Sequence, residues 1–269
     1  MALVAGCDIG SVSGKAVILD GRRILASAVI PSKPLPAATA EEVLNLAAGR
    51  AGVSRGDIAY LVGTGYGRVK VPGAQKAVSE ITCHARGAAF SNQDAATLID
   101  VGGQDSKVIS LAPDGSGQVR EFSMNDKCAA GTGRFLEVMA KVFEMPIESF
   151  GDAALRARRC LAISSQCTVF AESEVVCLIG QEQDRDEIIA GICDAVAARV
   201  ATLVGRVRLR EKVYMSGGVA RNQGVRQRLE TRLGVKIWEL SGDPLVAGAL
   251  GAALIAGEAL QKQAGGKVS

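Results

Sequence analysis

Two short segments of this 269-residue chain, 7–18 and 99–110, carry the same pattern of residues. In both, an apolar strand runs into Asp-x-Gly, and a lysine and a second apolar run follow at the same spacing. One match of this kind could arise by chance, but two with equal spacing indicate two related halves. The sequence therefore predicts a duplicated α/β fold in which each half offers a carboxylate and a glycine turn.

The residue types in this repeated pattern suit phosphate and magnesium chemistry. A glycine-rich turn lets backbone N–H groups approach phosphate oxygens, because no Cβ stands in the way. An aspartate at a strand end can hold hydrated Mg²⁺, which keeps several waters and takes only one or two carboxylates. A single hairpin of this kind is more simply an ordinary turn with a solvated aspartate. The matched pair favours a nucleotide site with Asp8 and Asp100 as its carboxylates.

A third glycine motif, Gly217-Gly218, stands between a strand predicted over 212–215 and a helix predicted over 219–233. Helix N-termini attract phosphates and polar rings through free N–H groups and the helix dipole. Alone, the motif is a simple strand–helix turn, but beside the two hairpins it indicates a further phosphate or nucleoside contact. The candidate nucleotide-binding residues of the three motifs are Gly10, Ser11, Val12, Ser13, Lys15, Gly102, Gly103, Gln104, Gly217, Gly218, Ala220 and Asn222.

Composition argues against several other classes of protein. Hydrophobic residues make up 48% of the chain, so it is not a disordered protein. A net charge of +3 and an aromatic content of 4% give no reason to expect nucleic acid. The seven cysteines include no CxxC pair and no signal peptide begins the chain, which favours a reduced, cytoplasmic protein. The longest uncharged run, between Asp243 and Glu258, is shorter than the ~18 residues of a membrane span, so we expect a buried helix there and no membrane.

Hydrophobic patterning predicts a strand meander at the start of each half, followed by helices. Strands are predicted over 3–9, 15–19, 23–30, 58–62, 97–101, 107–111, 119–124 and 212–215. Helices are predicted over 41–48, 79–90, 132–143, 168–179, 184–208, 219–233 and 244–260.

Two cysteines, Cys128 and Cys167, each stand immediately before a predicted helix. The field of a helix N-terminus lowers the pKa of a thiol and favours a thiolate ligand. Two thiolates are too few for a [4Fe–4S] cluster, but a two-fold dimer doubles the number. Four thiolates also suit zinc, so the ligands alone leave the metal open. Cysteines in apolar patterns are interpreted as buried small residues, namely Cys7, Cys83, Cys177 and Cys193, whereas Cys160 is left without an assignment.

The two hairpins and the Gly217-Gly218 motif together resemble the phosphate and adenosine loops of the actin, sugar kinase and Hsp70 ATPase superfamily. The resemblance implies a duplicated actin/Hsp70-like (ribonuclease H-like) α/β fold with two lobes and a nucleotide cleft between them. It implies a first lobe over 1–95 plus 243–269 and a second lobe, carrying the cluster cysteines, over 96–242. A small-molecule kinase of this fold is an alternative, but it leaves the two cysteine motifs unexplained.

The segments 125–137 and 167–174 resemble more specifically the activator ATPases of 2-hydroxyacyl-CoA dehydratases, in the BadF/BadG/BcrA/BcrD ATPase family. The resemblance implies that Cys128 and Cys167 ligate one [4Fe–4S] cluster shared by the two copies in a homodimer. It implies ATP or ADP and Mg²⁺ as cofactors, and an electron that passes from a donor such as ferredoxin or flavodoxin to an iron–sulfur dehydratase. The alternatives are a reductase component for benzoyl-CoA reductase or a double-cubane cluster protein, and a zinc-bridged dimer that leaves the hairpins unexplained.

Within this scheme the catalytic residues are expected to be Asp8, Asp100 and Gln104. The two aspartates would hold Mg²⁺ through water, and Gln104 and Lys15 would contact phosphate or water. The single histidine, His84, is given no catalytic role.

Overall fold

The two repeated hairpins lie in separate five-stranded sheets, each belonging to its own unit of the chain. The computed structural model describes residues 2–163 and 168–265. The first unit comprises Met1–Ala95, Leu111–Arg120 and Leu240–Ser269, and the second comprises Ala96–Ser110 and Glu121–Glu239. Residues 111–120 and 240–242 therefore group with the first unit, although the sequence assigned them to the second lobe.

Ten strands and eight α-helices form the described part of the chain. The strands are β1 Leu3–Ile9, β2 Ser13–Asp20, β3 Arg23–Pro31, β4 Ile58–Thr64, β5 Lys76–Ala77, β6 Thr97–Val101, β7 Ser106–Leu111, β8 Val119–Asn125, β9 Val213–Ser216 and β10 Ile237–Glu239. The helices are α1 Pro36–Ala51, α2 Glu80–Ser91, α3 Gly133–Val142, α4 Phe150–Arg156, α5 Thr168–Gly180, α6 Arg185–Val204, α7 Gln223–Leu233 and α8 Ala247–Gly265.

The two sheets have the same topology. The first runs β3-β2-β1-β4-β5 and the second runs β8-β7-β6-β9-β10, so each strand has a counterpart at the same place. β1 pairs antiparallel with β2 and parallel with β4, and β6 pairs in the same way with β7 and β9. This correspondence confirms the predicted duplicated α/β fold.

Successive side chains of a strand point to opposite faces of a sheet, and in the first sheet both faces are apolar. Helices therefore pack on both faces. Cys7 and Ile9 belong to the cluster that contains Val43 and Leu44 of α1, whereas Val4 belongs to the cluster that contains α8. Full burial of a side chain such as Leu44 contributes about 2 kcal/mol to folding. Helix α1 begins with a proline at its first turn and ends at Gly52, whose φ of 69° suits glycine.

The core of the second unit is built around α6. Ile188, Ile192, Val196 and Val200 recur every four residues along α6 and are all buried, as expected for a helix with an apolar stripe. They share one cluster with α3, α4 and α7 and with the central strands of the sheet. This core holds β6 and β9, and with them the glycine motifs at the ends of those strands.

By length and composition alone, the segment Pro244–Ala264 is apolar enough to cross a membrane. Half of its apolar 18-residue window is buried inside the protein. In the described part of the chain no other helix passes this test. The small side chains of α8 lie against β1 in the apolar cluster, so this helix is part of the core, as the sequence predicted.

Several predicted boundaries are wrong. Helix α6 ends at Val204 rather than at residue 208, and α1 is longer than the predicted 41–48 because Pro36 opens it. The segment after Gly217 first makes a 3-10 turn over Gly218–Arg221, so α7 begins only at Gln223. The sequence also missed α4 and the three-residue strand β10.

Candidate functional site

In the first unit, Asp8 is buried at the end of β1 beside Lys15 of β2. The two residues face each other in the strand register, and Nζ of Lys15 lies 3.5 Å from Oδ2 of Asp8. Between them the chain turns tightly, with the N–H of Gly10 donating to the carbonyl of Ser13 at 3.1 Å. The hydroxyl of Ser32 donates to the carbonyl of Gly10 at 2.8 Å and holds the turn from outside. The structure therefore brings the predicted Asp8, Gly10 and Lys15 together.

Two glycines border the Asp8 carboxylate. Gly65 has a φ of 83°, and a side chain there would overlap Oδ1 of Asp8 and the carbonyl of Ile9. A methyl group on Gly248 would lie 3.0 Å from Oδ2 of Asp8 and 2.8 Å from Nε2 of His84. His84 is thus a buried residue of α2 near Asp8.

In the second unit, Asp100 and Lys107 repeat the pairing of Asp8 and Lys15. Nζ of Lys107 lies 3.2 Å from Oδ2 of Asp100 and 2.8 Å from Oδ1 of Asp105. The hydroxyl of Ser216, at the end of β9, donates to Oδ1 of Asp100 at 2.7 Å. Both partners of the Asp100–Lys107 pair are almost fully buried, so each charge depends on the other for compensation.

The residues between Asp100 and Lys107 form what we call the second glycine loop, residues 102–105. The N–H of Gly102 donates to the carbonyl of Asp105 at 2.9 Å, which closes the loop. Gln104 at its tip is exposed, as Ser11 is in the loop of the first unit. Exposed loop tips with backbone amides are able to receive an anionic ligand.

The third predicted motif follows β9, and its geometry repeats that of Gly65. Gly217 has a φ of 84°, and a side chain there would overlap the carbonyl of Val101 and lie 3.1 Å from Oδ1 of Asp100. Thr64 pairs with Asp8 in the register, as Ser216 pairs with Asp100. The sequence missed Thr64-Gly65 as the counterpart of Ser216-Gly217, although a hydroxyl residue followed by glycine at the end of the matching strand was the available signal.

Asn222 is buried and caps α7, where its Oδ1 accepts from the N–H of Val225 at 3.0 Å. Its Nδ2 has no hydrogen-bond partner among residues 2–163 and 168–265. Ala220, just before it in the chain, donates its N–H to the carbonyl of Gly217 at 3.3 Å within the 3-10 turn. A nucleotide contact by either residue stays a prediction.

Cys128 is half-buried and does not directly precede an α-helix, which corrects the sequence prediction. A 3-10 turn, Ala129–Gly131, follows it, and α3 begins at Gly133. The side chain of Asn125 brackets Cys128, because its Nδ2 donates to the carbonyl of Cys128 at 2.8 Å and its Oδ1 accepts the N–H at 3.3 Å. Two hydrogen bonds from the Asn125 side chain to the backbone of Cys128, rather than the start of an α-helix, therefore hold this cysteine in place.

The other predicted ligand, Cys167, lies outside the described residues. Helix α5 begins at the next residue and carries an exposed apolar surface formed by Val169, Phe170, Val176 and Ile179.

The remaining cysteines divide into buried and exposed groups. Cys7, Cys83 and Cys193 are buried, as predicted, whereas Cys177 is exposed and the prediction for it is wrong. Burial raises the pKa of Cys83 to about 12 and that of Cys193 to about 12, so these thiols stay protonated and are poor metal ligands. Cys177 was misjudged because it lies in the apolar run 175–179, which does not distinguish the face of α5 that meets the core.

The described side chains fit the predicted ions to different degrees. Oδ2 of Asp8 and Oδ2 of Asp100 each contact a lysine Nζ, so these carboxylates suit contact with hydrated Mg²⁺ through water rather than direct coordination. Among residues 2–163 and 168–265, no group of three or more His, Cys, Asp or Glu side chains could hold a metal ion. Cys128 could therefore join a four-thiolate cluster only with ligands from outside this set.

Comparison with known proteins places these features in a family. The model of the BadF/BadG/BcrA/BcrD ATPase family matches residues 5–256. The chain is 45% identical over 258 residues to the (R)-2-hydroxyglutaryl-CoA dehydratase activating ATPase of Acidaminococcus fermentans, covering 93% of this chain and 95% of that protein. It is 31% identical over 265 residues to a component of the benzoyl-CoA reductase of Thauera aromatica, covering 94% of this chain and 93% of that one. The solved activator of 2-hydroxyisocaproyl-CoA dehydratase from Clostridium difficile with bound ADPNP superposes with a TM-score of 0.92 and 42% identity, covering 99% of this chain and 98% of that chain.

Proposed function

Because this chain belongs to the BadF/BadG/BcrA/BcrD ATPase family, we propose that it hydrolyses ATP to deliver a low-potential electron to an iron–sulfur 2-hydroxyacyl-CoA dehydratase. The observation that carries the proposal is the repeated geometry around Asp8 and Asp100, each buried beside a lysine and bordered by a glycine of positive φ. The activating ATPase of Acidaminococcus fermentans supports ATP hydrolysis and a dehydratase partner, and the ADPNP-bound activator supports nucleotide binding.

In this proposal the two carboxylates bind Mg²⁺ through water, and the ion neutralises phosphate charge when it is bound. Ser11 and Gly103 would donate hydrogen bonds to phosphate oxygens from their exposed or half-buried loops. The N–H groups of Gly10 and Gly102 already donate to the carbonyls of Ser13 and Asp105, which corrects their predicted role as donors, and these two glycines would instead let the phosphate approach the backbone closely. Gln104 at the loop tip would orient the attacking water. Phosphoryl transfer depends chiefly on positioning and charge stabilisation, which residues of these kinds supply.

We assign Cys128 and Cys167 of two copies of the chain to one shared [4Fe–4S] cluster, which supplies the electron. Two cysteines are half of the four thiolates that such a cluster takes, so two copies of the chain would complete the ligand set. The exposed apolar side chains of Val169 and Phe170, just after Cys167, support a homodimer, because such side chains are normally covered in an assembly.

A dehydratase is favoured as the electron acceptor by sequence identity. The dehydratase-activating relative is 45% identical, whereas the benzoyl-CoA reductase component is 31% identical. A reductase component for a benzoyl-CoA reductase or a double-cubane cluster protein is the second candidate. We further propose a cytoplasmic protein that takes its electron from a ferredoxin or flavodoxin and binds neither nucleic acid nor membrane.

The test separates hydrolysis from cluster assembly. After anaerobic purification, iron, sulfide, the EPR spectrum of the reduced protein and the ATPase rate are measured for the wild type and four variants. We expect about four irons per dimer, lost in Cys128→Ala but retained in Cys160→Ala, the control at an exposed cysteine. Asp8→Ala and Asp100→Ala are expected to abolish hydrolysis and keep the cluster.

Three results would contradict these assignments. A colourless wild-type dimer that binds no iron after reconstitution would leave a kinase or a zinc-bridged ATPase. Loss of the cluster with normal hydrolysis in the aspartate variants would overturn their role in nucleotide chemistry. Retention of the cluster in Cys128→Ala would remove that cysteine from the ligand set.

A further inference from the structure

The loop of the first unit, residues 10–13, and the second glycine loop are held by different contacts. In the first unit, Ser32 contacts the loop, with its hydroxyl donating to the carbonyl of Gly10 and its N–H donating to that of Val12. In the second unit, carbonyls of the loop accept hydrogen bonds from the first residues of α3. The loop of the second unit is thus joined to the helix that follows Cys128.

The bonds between the second glycine loop and α3 are short and direct. The N–H of Gly133 donates to the carbonyl of Gly102 at 2.8 Å, and the N–H of Arg134 donates to the carbonyl of Gly103 at 2.8 Å. The first amides of a helix have no partner inside the helix, so they are available for such bonds. These two bonds therefore join the second glycine loop directly to the start of α3.

A second connection reaches closer to Cys128. We call residues 128–132 the Cys128 turn. The hydroxyl of Ser106, which is almost fully buried, donates to the carbonyl of Gly131 in this turn. Gly131 is enclosed on its other side by Arg199, whose Cγ would lie 2.8 Å from a side chain at that position. Ser106 follows the second glycine loop directly, so one side chain ties the loop to the turn.

Hydrogen bonds within the turn continue the connection to the cysteine. The N–H and the hydroxyl of Thr132 both donate to the carbonyl of Ala129, at 3.0 and 2.8 Å. Asn125 clamps the backbone of Cys128 itself through the two hydrogen bonds given above. Hydrogen bonds thus stabilise the Cys128 turn internally and join it to β8 through Asn125 and to β7 through Ser106.

We propose that Ser106 is a positioning residue that transmits the nucleotide state of the second glycine loop to Cys128. This inference rests on the proposed nucleotide role of Gly102 and Gly103. A phosphate bound at the amide of Gly103 and packed against Gly102 would hold the loop, and the Ser106 hydroxyl would hold the Cys128 turn in register with it. The two α3 bonds carry a parallel connection that does not pass through Ser106.

Amide hydrogen exchange in the anaerobically purified full-length protein distinguishes these two connections. Exchange is measured with and without MgADP at two places, the amides of Gly133 and Arg134 and the amides of Cys128 and Thr132. In the wild type we expect MgADP to slow exchange at both places by about fivefold, the effect of one ordinary hydrogen bond. In Ser106→Ala the slowing should persist at Gly133 and Arg134 but disappear at Cys128 and Thr132.

Two control variants show whether a loss comes from the hydroxyl. Ser106→Thr keeps the donor and should restore the response at Cys128 and Thr132. Ser110→Ala changes a serine of the same strand that is equally buried, and its response should equal that of the wild type. MgADP affinity, measured by calorimetry, should stay within about threefold in all variants. Neither Ser106 nor Ser110 is proposed to contact the nucleotide, so the change in binding free energy should be smaller than that of one hydrogen bond.

Each alternative result has a definite meaning. MgADP binding that slows exchange at Gly133 and Arg134 but not at Cys128 and Thr132 in the wild type would overturn the inference. A Ser106→Ala protein that keeps the response at Cys128 would also overturn it. Failure of the wild type to bind MgADP would instead overturn the proposed function, and this inference with it.

Discussion

The buried pair of Asp100 and Lys107 should contribute strongly to stability, and Lys107→Met tests this. The side chains are 3% and 4% exposed, and Nζ of Lys107 also contacts Asp105 at 2.8 Å. Removal of the lysine leaves the Asp100 carboxylate buried beside the hydroxyl of Ser216. Breaking a buried ion pair from one side costs about 3–5 kcal/mol, because the remaining charge is uncompensated.

The duplicated hairpin of the first unit supplies the matched control. Lys15 is 13% exposed and its Nζ lies 3.5 Å from Asp8, so water screens this pair more than the other. Lys15→Met should therefore cost less, about 1–2 kcal/mol, between the values for exposed and buried pairs. Scanning calorimetry should show a fall in Tm of roughly 6–20 °C for Lys107→Met and a smaller fall for Lys15→Met.

A double variant separates the charge effect from a simple loss of packing. Asp100→Asn combined with Lys107→Met removes both charges, so it should recover at least about 1 kcal/mol relative to Lys107→Met alone. A cost of less than about 1 kcal/mol for Lys107→Met, the value of an exposed pair, would refute the reasoning. Equal costs for Lys107→Met and Lys15→Met would refute it as well, since burial would then have no effect.

Two further predictions concern a glycine and a buried thiol. Gly217→Ala should destabilise the protein by about 1–3 kcal/mol in urea unfolding, because of the positive φ and the overlap with Val101. Gly49→Ala, in the open last turn of α1, should be neutral or stabilising, and an equal loss in both variants would contradict this. For Cys83, the folded pKa of about 12 exceeds the ordinary value of 9.0, so its contribution is complete below pH 9 and is lost as pH rises towards 12. Cys83→Ala should therefore reduce the loss of stability in this range by about 1.4 kcal/mol per pH unit relative to the wild type, and parallel pH profiles would contradict the assignment.

The sequence predicted the hairpins well because their determinants are local. Apolar runs define β1 and β2, the turn at Asp20-Gly21 joins β2 to β3, and the equal spacing of Asp and Lys places the pair across the neighbouring strands β1 and β2. The Asp100–Lys107 pair follows from the same spacing. Local patterning also located most helices to within a few residues.

Features that depend on tertiary contacts were less predictable. Strand β10 has three residues and exists because β9 offers it a parallel edge, so its own sequence gives little indication. The 3-10 turn after Cys128 depends on bonds to Ser106 and Asn125, which are distant or conformation-dependent partners. The site role of Thr64-Gly65 becomes visible only when β4 and β9 are recognised as equivalent strands.

The residue that opens each helix explains why the duplicated halves differ. Helix α1 begins at Pro36, which has no N–H and therefore could not donate to a loop carbonyl even if it approached one. Helix α3 begins at Gly133, which has an N–H, and a side chain there would lie 3.2 Å from the carbonyl of Gly102. Glycine at this position thus permits both the donor and the close approach. A helix beginning with proline would leave the carbonyl of Gly102 without this bond, so one of the connections between the second glycine loop and the Cys128 segment depends on the residue type at the start of α3.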